Sequence, residues 1–298
     1  MTASFQYREN TLRFGPDQRL IGTLTLPRDP APSSLPGLIL FNAGALQRIG
    51  PHRLNVEMAR TAAVQGMAAI RFDLPGLGDS GFINTDASHD EQAFTALADA
   101  MTLLAEGPCA PRRFVIAGLC SGADVGFEMA LRDPRVAGLF MIEPWYFPNR
   151  YSAPLRTLRR LREYGPRRAL LRIIQLLRGH RNHPGGTDSP AMPAMPPDET
   201  VRASPSPTQF SSELRTLLSR GLRIRLIYAN TLMGSHDLRQ HQQDIFQGLG
   251  PASHFDVEMV PGTDHLFTRV ESRQLLIRRL AEWLRRFADE SGAVRPAA

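Results

Sequence analysis

Apolar and polar residues alternate in two patches near the start of the chain, Phe5–Phe14 and Gln18–Leu26. A period of two is the mark of a strand with one buried face, and Gly15-Pro16-Asp17 between the patches supplies turn chemistry. The two patches therefore predict an antiparallel hairpin. A proline-rich linker, Pro27–Pro36, follows, and beyond it the pattern changes. Short apolar runs at Leu38–Phe41, Ala68–Phe72, Phe114–Ala117, Val136–Ile142, Arg223–Tyr228 and Phe255–Val260 alternate with stretches of helical periodicity. Strands that are apolar on both faces need covering on both sides, so the alternation predicts an α/β fold: a mostly parallel sheet flanked by helices. A last helix is expected from about Glu271 to Phe287, where Leu275, Leu276, Leu280, Trp283 and Phe287 recur at helical spacing.

The alternation is interrupted after Ile142. Within Trp145–Arg181, Leu170, Ile173, Ile174 and Leu177 follow the i, i+3, i+4, i+7 rule of a helix face. Ten arginines from Arg150 to Arg181 crowd the other faces. The next stretch, Asn182–Thr208, is rich in Pro, Gly, Ser and Asp and is expected to be a mobile loop. Together residues 145–208 read as a cap inserted into a core made of residues 1–144 and 209–298. Its arginines have three readings: a solvated helix face, a dock for an anionic substrate or a phosphopantetheine-carrying partner, or a helix lying on a membrane surface.

Composition narrows the field. A chain of 298 residues suits one large α/β domain with an insertion. No apolar run reaches the roughly 18 residues of a transmembrane helix, and the N-terminus lacks the pattern of a secretory signal. All 35 basic residues are arginine and the net charge is +6, but no nucleic-acid-binding motif accompanies them, so no nucleic-acid partner is expected. The two cysteines, Cys109 and Cys120, flank a predicted strand and are not read as a disulfide; the chain is expected to be cytoplasmic.

Cys120 sits in Gly118-Leu119-Cys120-Ser121-Gly122, between a strand and a helix start. This is the pattern of a nucleophile elbow, where the central residue is strained and small residues two positions away let strand and helix approach. Centred on Cys120, the flanks are Gly118 and Gly122. Centred on Ser121 they would be Leu119 and Ala123, and Leu119 would clash. Cys120 is therefore the candidate nucleophile, and the Ser121 hydroxyl is expected to be incidental. The alternative is an ordinary buried cysteine, the commonest fate of a free one.

Two further motifs share a family. Asp73-Leu74-Pro75-Gly76-Leu77-Gly78-Asp79-Ser80 resembles the D-x-x-G-x-G-x-S turn after the fourth strand of α/β hydrolases, and Asp264-His265-Leu266-Phe267 resembles their histidine loop after the last strand. With the elbow, these carry the resemblance from Leu38 to Phe287 and imply the α/β-hydrolase fold. A narrower likeness, in Asn42-Ala43-Gly44, Arg48-Ile49-Gly50-Pro51-His52-Arg53-Leu54 and the cysteine elbow, is to hydrolases of exosortase and exopolysaccharide gene clusters and natural-product relatives. That likeness implies acyl chemistry on a small or carrier-linked molecule, with an acyl carrier protein as partner. No cofactor and no metal is expected.

The resemblance makes His265 the general base and Asp264 a loop-stabilising residue. The family's acid usually follows the seventh strand closely, but the stretch after Tyr228 has no carboxylate until Asp237. Glu143 ends the sixth strand, where it precedes Pro144 and is expected to be extended. Glu143 is the favoured acid and Asp237 the second choice; the alternative is that Glu143 pairs with a cap arginine. The oxyanion hole is expected to use backbone N–H groups of Ser121 and of Gly44 or Ala45. Arg48, His52, Arg53 and Trp145 are candidates to touch substrate, although the first three could equally be solvated residues at a helix start. These readings point to an ester or thioester hydrolase working through an acyl-cysteine. Acyl transfer, ring closure or elimination on the same fold is an alternative, and a non-catalytic ligand-binding homologue is another.

Overall fold

The computed structural model describes residues 6–83, 85–145, 147, 204–229, 245–246, 249 and 254–290. The chain divides into two units, Met1–Tyr146 with Ser204–Ala298, and Phe147–Ala203. The sheet and every residue discussed below belong to the first. The expected cap helix at Leu170–Leu177 and the loop up to residue 203 lie outside the described residues, as does Asp237.

The N-terminal patches form the expected hairpin, β1 (Tyr7–Phe14) and β2 (Leu20–Pro27), paired antiparallel from Tyr7↔Pro27 to Phe14↔Leu20. Then come β3 (Gly37–Leu40), α1 (Leu54–Val64), β4 (Ala69–Phe72), α2 (His89–Ala105), β5 (Phe114–Leu119) and α3 (Ser121–Arg132). The series ends with β6 (Val136–Ile142), α4 (Pro207–Ser219), β7 (Arg223–Ala229), β8 (Phe255–Val260) and α5 (Val270–Glu290). The eight strands lie in the order β1-β2-β4-β3-β5-β6-β7-β8, and all from β4 through β8 in that order run parallel.

Period two along the parallel strands sorts the core into two layers. Leu38, Leu40, Val115, Ala117, Phe140 and Ile142 join one cluster with Leu54 and Met58 of α1 and Leu280, Trp283 and Phe287 of α5. Their neighbours Ile39, Ile116 and Leu139 are buried on the other face, where Gly126 of α3 lies so close to Ile116 that a Cβ would come within 2.9 Å of its Cγ2. Helices thus cover both faces, as two-sided apolar strands require. The chain order reverses between β3 and β5, so the loops after these strands flank the crevice at the carboxyl edge where ligands of open α/β sheets bind.

The structure moves one boundary of the sequence reading. Helix α4 starts at Pro207, inside the stretch assigned to the cap loop, because Ser206 caps it by accepting the Gln209 N–H at 3.1 Å. Ser-Pro reads as a turn signal, yet proline at the first helical position loses no hydrogen bond. Trp145 likewise belongs to the core: its ring meets Phe127 at 5.7 Å and Phe210 at 5.8 Å and is 6% exposed. Among the described residues no helix is long and apolar enough to cross a membrane.

Candidate active site

Cys120 stands between β5 and α3 with φ 52° and ψ −124°, a strained conformation for a residue with a side chain. Its backbone N–H donates to the Ile142 carbonyl at 2.8 Å, and its own carbonyl takes the N–H groups of Ala123 and Asp124 to open the helix. The flanking glycines are sterically required. A Cβ on Gly118 would lie 2.3 Å from the Gly122 carbonyl oxygen, and one on Gly122 would lie 2.8 Å from the Asn42 oxygen. The turn is therefore built around Cys120, at the N-terminal end of α3. Cys109 is different: it is 2% exposed and burial pushes its thiol above the ordinary range.

Three strand ends converge at this edge. Glu143, just beyond β6, accepts the Ala229 N–H from the end of β7 on Oε1, and its Oε2 lies 3.0 Å from His265 Nδ1. The carboxylate is buried, while the imidazole is 32% exposed. The Glu143 N–H donates to the Ile227 carbonyl at 2.7 Å. Glu143 is not extended as its place before Pro144 suggested: its φ is 52°. The bonds to Ile227, Ala229 and His265 fix both its backbone and its carboxylate, and such tertiary contacts hold a residue in a conformation that local preference disfavours.

His265 Nδ1 is thus taken by Glu143, and Cys120 is the other group that acts on the ring. Its pKa is pushed up to about 10, first by the hydrogen bond to Cys120 and then by that to Glu143, against the lowering effect of burial. An NMR titration is expected to place the His265 inflection near 10 rather than at the ordinary 6.5. Cys120→Ala should bring it down, because the larger raising contact is gone. The sign for folding follows: a histidine raised in the folded state contributes stability in full below about 6.5, and that contribution fades as pH rises through about 10.

The histidine loop is braced locally. Asp264 Oδ1 accepts the Thr268 N–H at 2.8 Å, and Arg273 donates to the Phe267 and Thr268 carbonyls at 3.4 and 3.1 Å. Phe267, with φ 52°, is fully buried and anchors the loop next to His265.

Across the site, the loop after β3 makes a tight turn in which the Leu46 N–H donates to the Ala43 carbonyl at 3.1 Å. Gly44 occupies its second position with φ 55°. The Ser121 hydroxyl, expected to be incidental, accepts the Gly44 N–H at 2.8 Å. Arg48 has its side chain engaged within the protein. It donates to Asp73 from its backbone N–H at 2.6 Å and from its guanidinium at 2.5 Å, and to Asp79 at 2.6 Å. Burial opposes the Arg48 charge, but the bonds to Asp79 and Asp73 outweigh it and hold its pKa above the usual arginine value. Asn42 completes the set, donating to Leu46 and Asp73 and accepting the Leu74 N–H at 2.6 Å. The D-x-x-G-x-G-x-S turn thus serves as the anchor of the loop facing Cys120. Sequence reasoning identified the motif but not this service, which joins residues some 25 positions apart.

His52 and Arg53 are exposed and carry left-handed φ values of 49° and 67°. Neither has a side-chain bond capping α1. Among the described residues no group of three or more histidine, cysteine, aspartate or glutamate side chains comes together in a way that could hold a metal ion.

Comparison with known proteins gives a consistent picture. A family model described as the alpha/beta hydrolase family matches residues 41–278. No curated protein matches the sequence. Among solved structures, the chain is similar to the esterase domain of a Rhodothermus marinus protein, with 18% identity, a TM-score of 0.52, and 94% of this chain and 99% of that one covered. It is also similar to the alpha/beta hydrolase GrgF from a Penicillium species, with 17% identity, a TM-score of 0.52, and 94% and 99% covered. A dienelactone hydrolase from Anabaena variabilis matches with 13% identity, a TM-score of 0.52, and 94% and 98% covered. At these identities the structural likenesses speak for the fold.

Proposed function

Because the chain belongs to the alpha/beta hydrolase family, we propose that it hydrolyses an activated ester or thioester of a small or carrier-linked molecule through an acyl-Cys120 intermediate. The observation that supports this most is the bond of His265 Nδ1 to the buried Glu143 at 3.0 Å, with Cys120, at the centre of the elbow, the first cause of the raised pKa of the ring. In this reading the Cys120 thiolate attacks the acyl carbon and forms the C–S bond. The ester or thioester bond breaks, and His265 gives its proton to the departing oxygen or sulfur. His265, now neutral, takes a proton from water as the water attacks the thioester. The acid product leaves and the thiolate–imidazolium pair is restored. Glu143 holds the ring in orientation and balances its charge. Ser121 N–H, which the start of α3 leaves without an intrahelical partner, is a donor to the developing oxyanion.

A cysteine nucleophile also favours a second reading, transfer of the acyl group to an amine, alcohol or carbanion of the substrate, since thioesters yield to amines and carbanions more readily than to water. The substrate class rests on the sequence likeness to exopolysaccharide-cluster and natural-product hydrolases. The strongest rival is a binding protein that kept the fold. A thiol-reactive probe at neutral pH separates the two. Cys120 should label at least about tenfold faster than the buried Cys109, because reactivity follows thiolate character and access. Equal, slow labelling of both would favour the binder.

A further inference from the structure

Taking the acyl-enzyme reading as its basis, we infer that Ser121 is a positioning residue of the oxyanion hole: its hydroxyl latches the loop Asn42–Arg48 through Gly44, which leaves Ala45 N–H as that loop's oxyanion donor. The turn Ala43–Leu46 satisfies its fourth residue's N–H internally, on the Ala43 carbonyl at 3.1 Å. That bond leaves the N–H groups of the two middle residues, Gly44 and Ala45, outside the turn's own hydrogen bonding. One of the two, Gly44 N–H, is committed to Ser121 Oγ at 2.8 Å. The other, Ala45 N–H, has no protein partner among the described residues.

The loop is fixed at three points. Its start is held by Asn42, whose amide bonds Leu46, Asp73 and Leu74 and whose carbonyl abuts Gly122 so closely that a Cβ there would meet it at 2.8 Å. Its end is held by Arg48 on Asp73 and Asp79. Between them lie Gly44 and Ala45, both exposed, and Gly44 has open space around the position of a Cβ. Besides the turn's own Leu46 N–H to Ala43 bond, the Ser121 contact is the side-chain bond that reaches this tip among the described residues. An oxyanion donor works by being in place before charge develops, so a tether that fixes the tip to the residue after the nucleophile sets the distance that matters. Ser121 thereby contributes twice, its N–H to the oxyanion and its hydroxyl to the opposing loop.

Ser121→Ala keeps the backbone N–H and removes only the latch. Its acylation by p-nitrophenyl acetate, followed in the pre-steady state, is expected to slow roughly tenfold, the size of one lost hydrogen bond or a small misplacement. Alkylation of Cys120 by iodoacetamide passes through no oxyanion and should keep its wild-type rate. Ser121→Thr, which restores a hydroxyl, should recover acylation. Ala45→Pro, which deletes the assigned donor, should slow acylation on the order of 10²-fold, again with alkylation unchanged. Wild-type acylation rates in Ser121→Ala or in Ala45→Pro would overturn the assignment, and so would equal slowing of alkylation and acylation. A wild-type protein that is alkylated but never acylated would instead remove the acyl-enzyme reading, and this inference with it.

Discussion

Cys120→Ala is expected to abolish acyl transfer, with a loss of at least about 10⁴-fold, while the protein stays folded. The elbow's geometry admits Cys120 alone as its central residue. The contacts of Gly118 with Gly122 and of Gly122 with Asn42 leave no room for side chains two positions from Cys120. Ser121 cannot take over, because its hydroxyl is held by Gly44 and faces the opposite loop. The alanine variant keeps every backbone bond of the elbow, including Cys120 N–H to Ile142 and the two that start α3. Far-UV circular dichroism and the thermal midpoint should therefore match the wild type, while turnover of an activated ester falls to the uncatalysed background.

Glu143→Gln is expected to lower turnover about 10²-fold with little change in KM, because it removes a charge from the imidazolium without touching the substrate. The amide fills the same space and can still accept the Ala229 N–H, so packing is kept. It cannot balance the imidazolium, whose raised pKa rests second on Glu143. The same variant should shift the His265 titration down from about 10. A thiol ionises more readily than an alcohol, which is why the loss stays short of the roughly 10⁴-fold typical when a serine triad loses its acid. Steady-state kinetics on Glu143→Gln and Asp237→Asn decide between the carboxylates. Full activity in the first and collapse in the second would assign the acid to Asp237.

The parts of this molecule that are set by short-range rules were readable from the residues. Val136–Ile142 and Phe255–Val260 form strands with the expected bounds, because apolar runs of that length have few other ways to be buried. The elbow was readable for a steric reason, and Glu143 for its position at a strand end next to β7. What escaped the sequence lies in contacts between loops. Nothing in the pattern says that Arg48 spends its charge on Asp73 and Asp79, or that Ser121 Oγ and Gly44 N–H, 77 positions apart, would meet. The left-handed φ of Glu143 was hidden for the same reason: three tertiary hydrogen bonds outweigh the local rule for a residue before proline. Helix α4 was missed because Ser206-Pro207 reads equally as a turn and as a capped helix start.

Intact-protein mass spectrometry with peptide mapping after brief exposure to an activated ester tests the central claim most directly. The account predicts one added acyl group per chain, mapped to Cys120, sensitive to hydroxylamine and missing from Cys120→Ala. An adduct on Ser121, or acyl turnover that persists in Cys120→Ala, would contradict it.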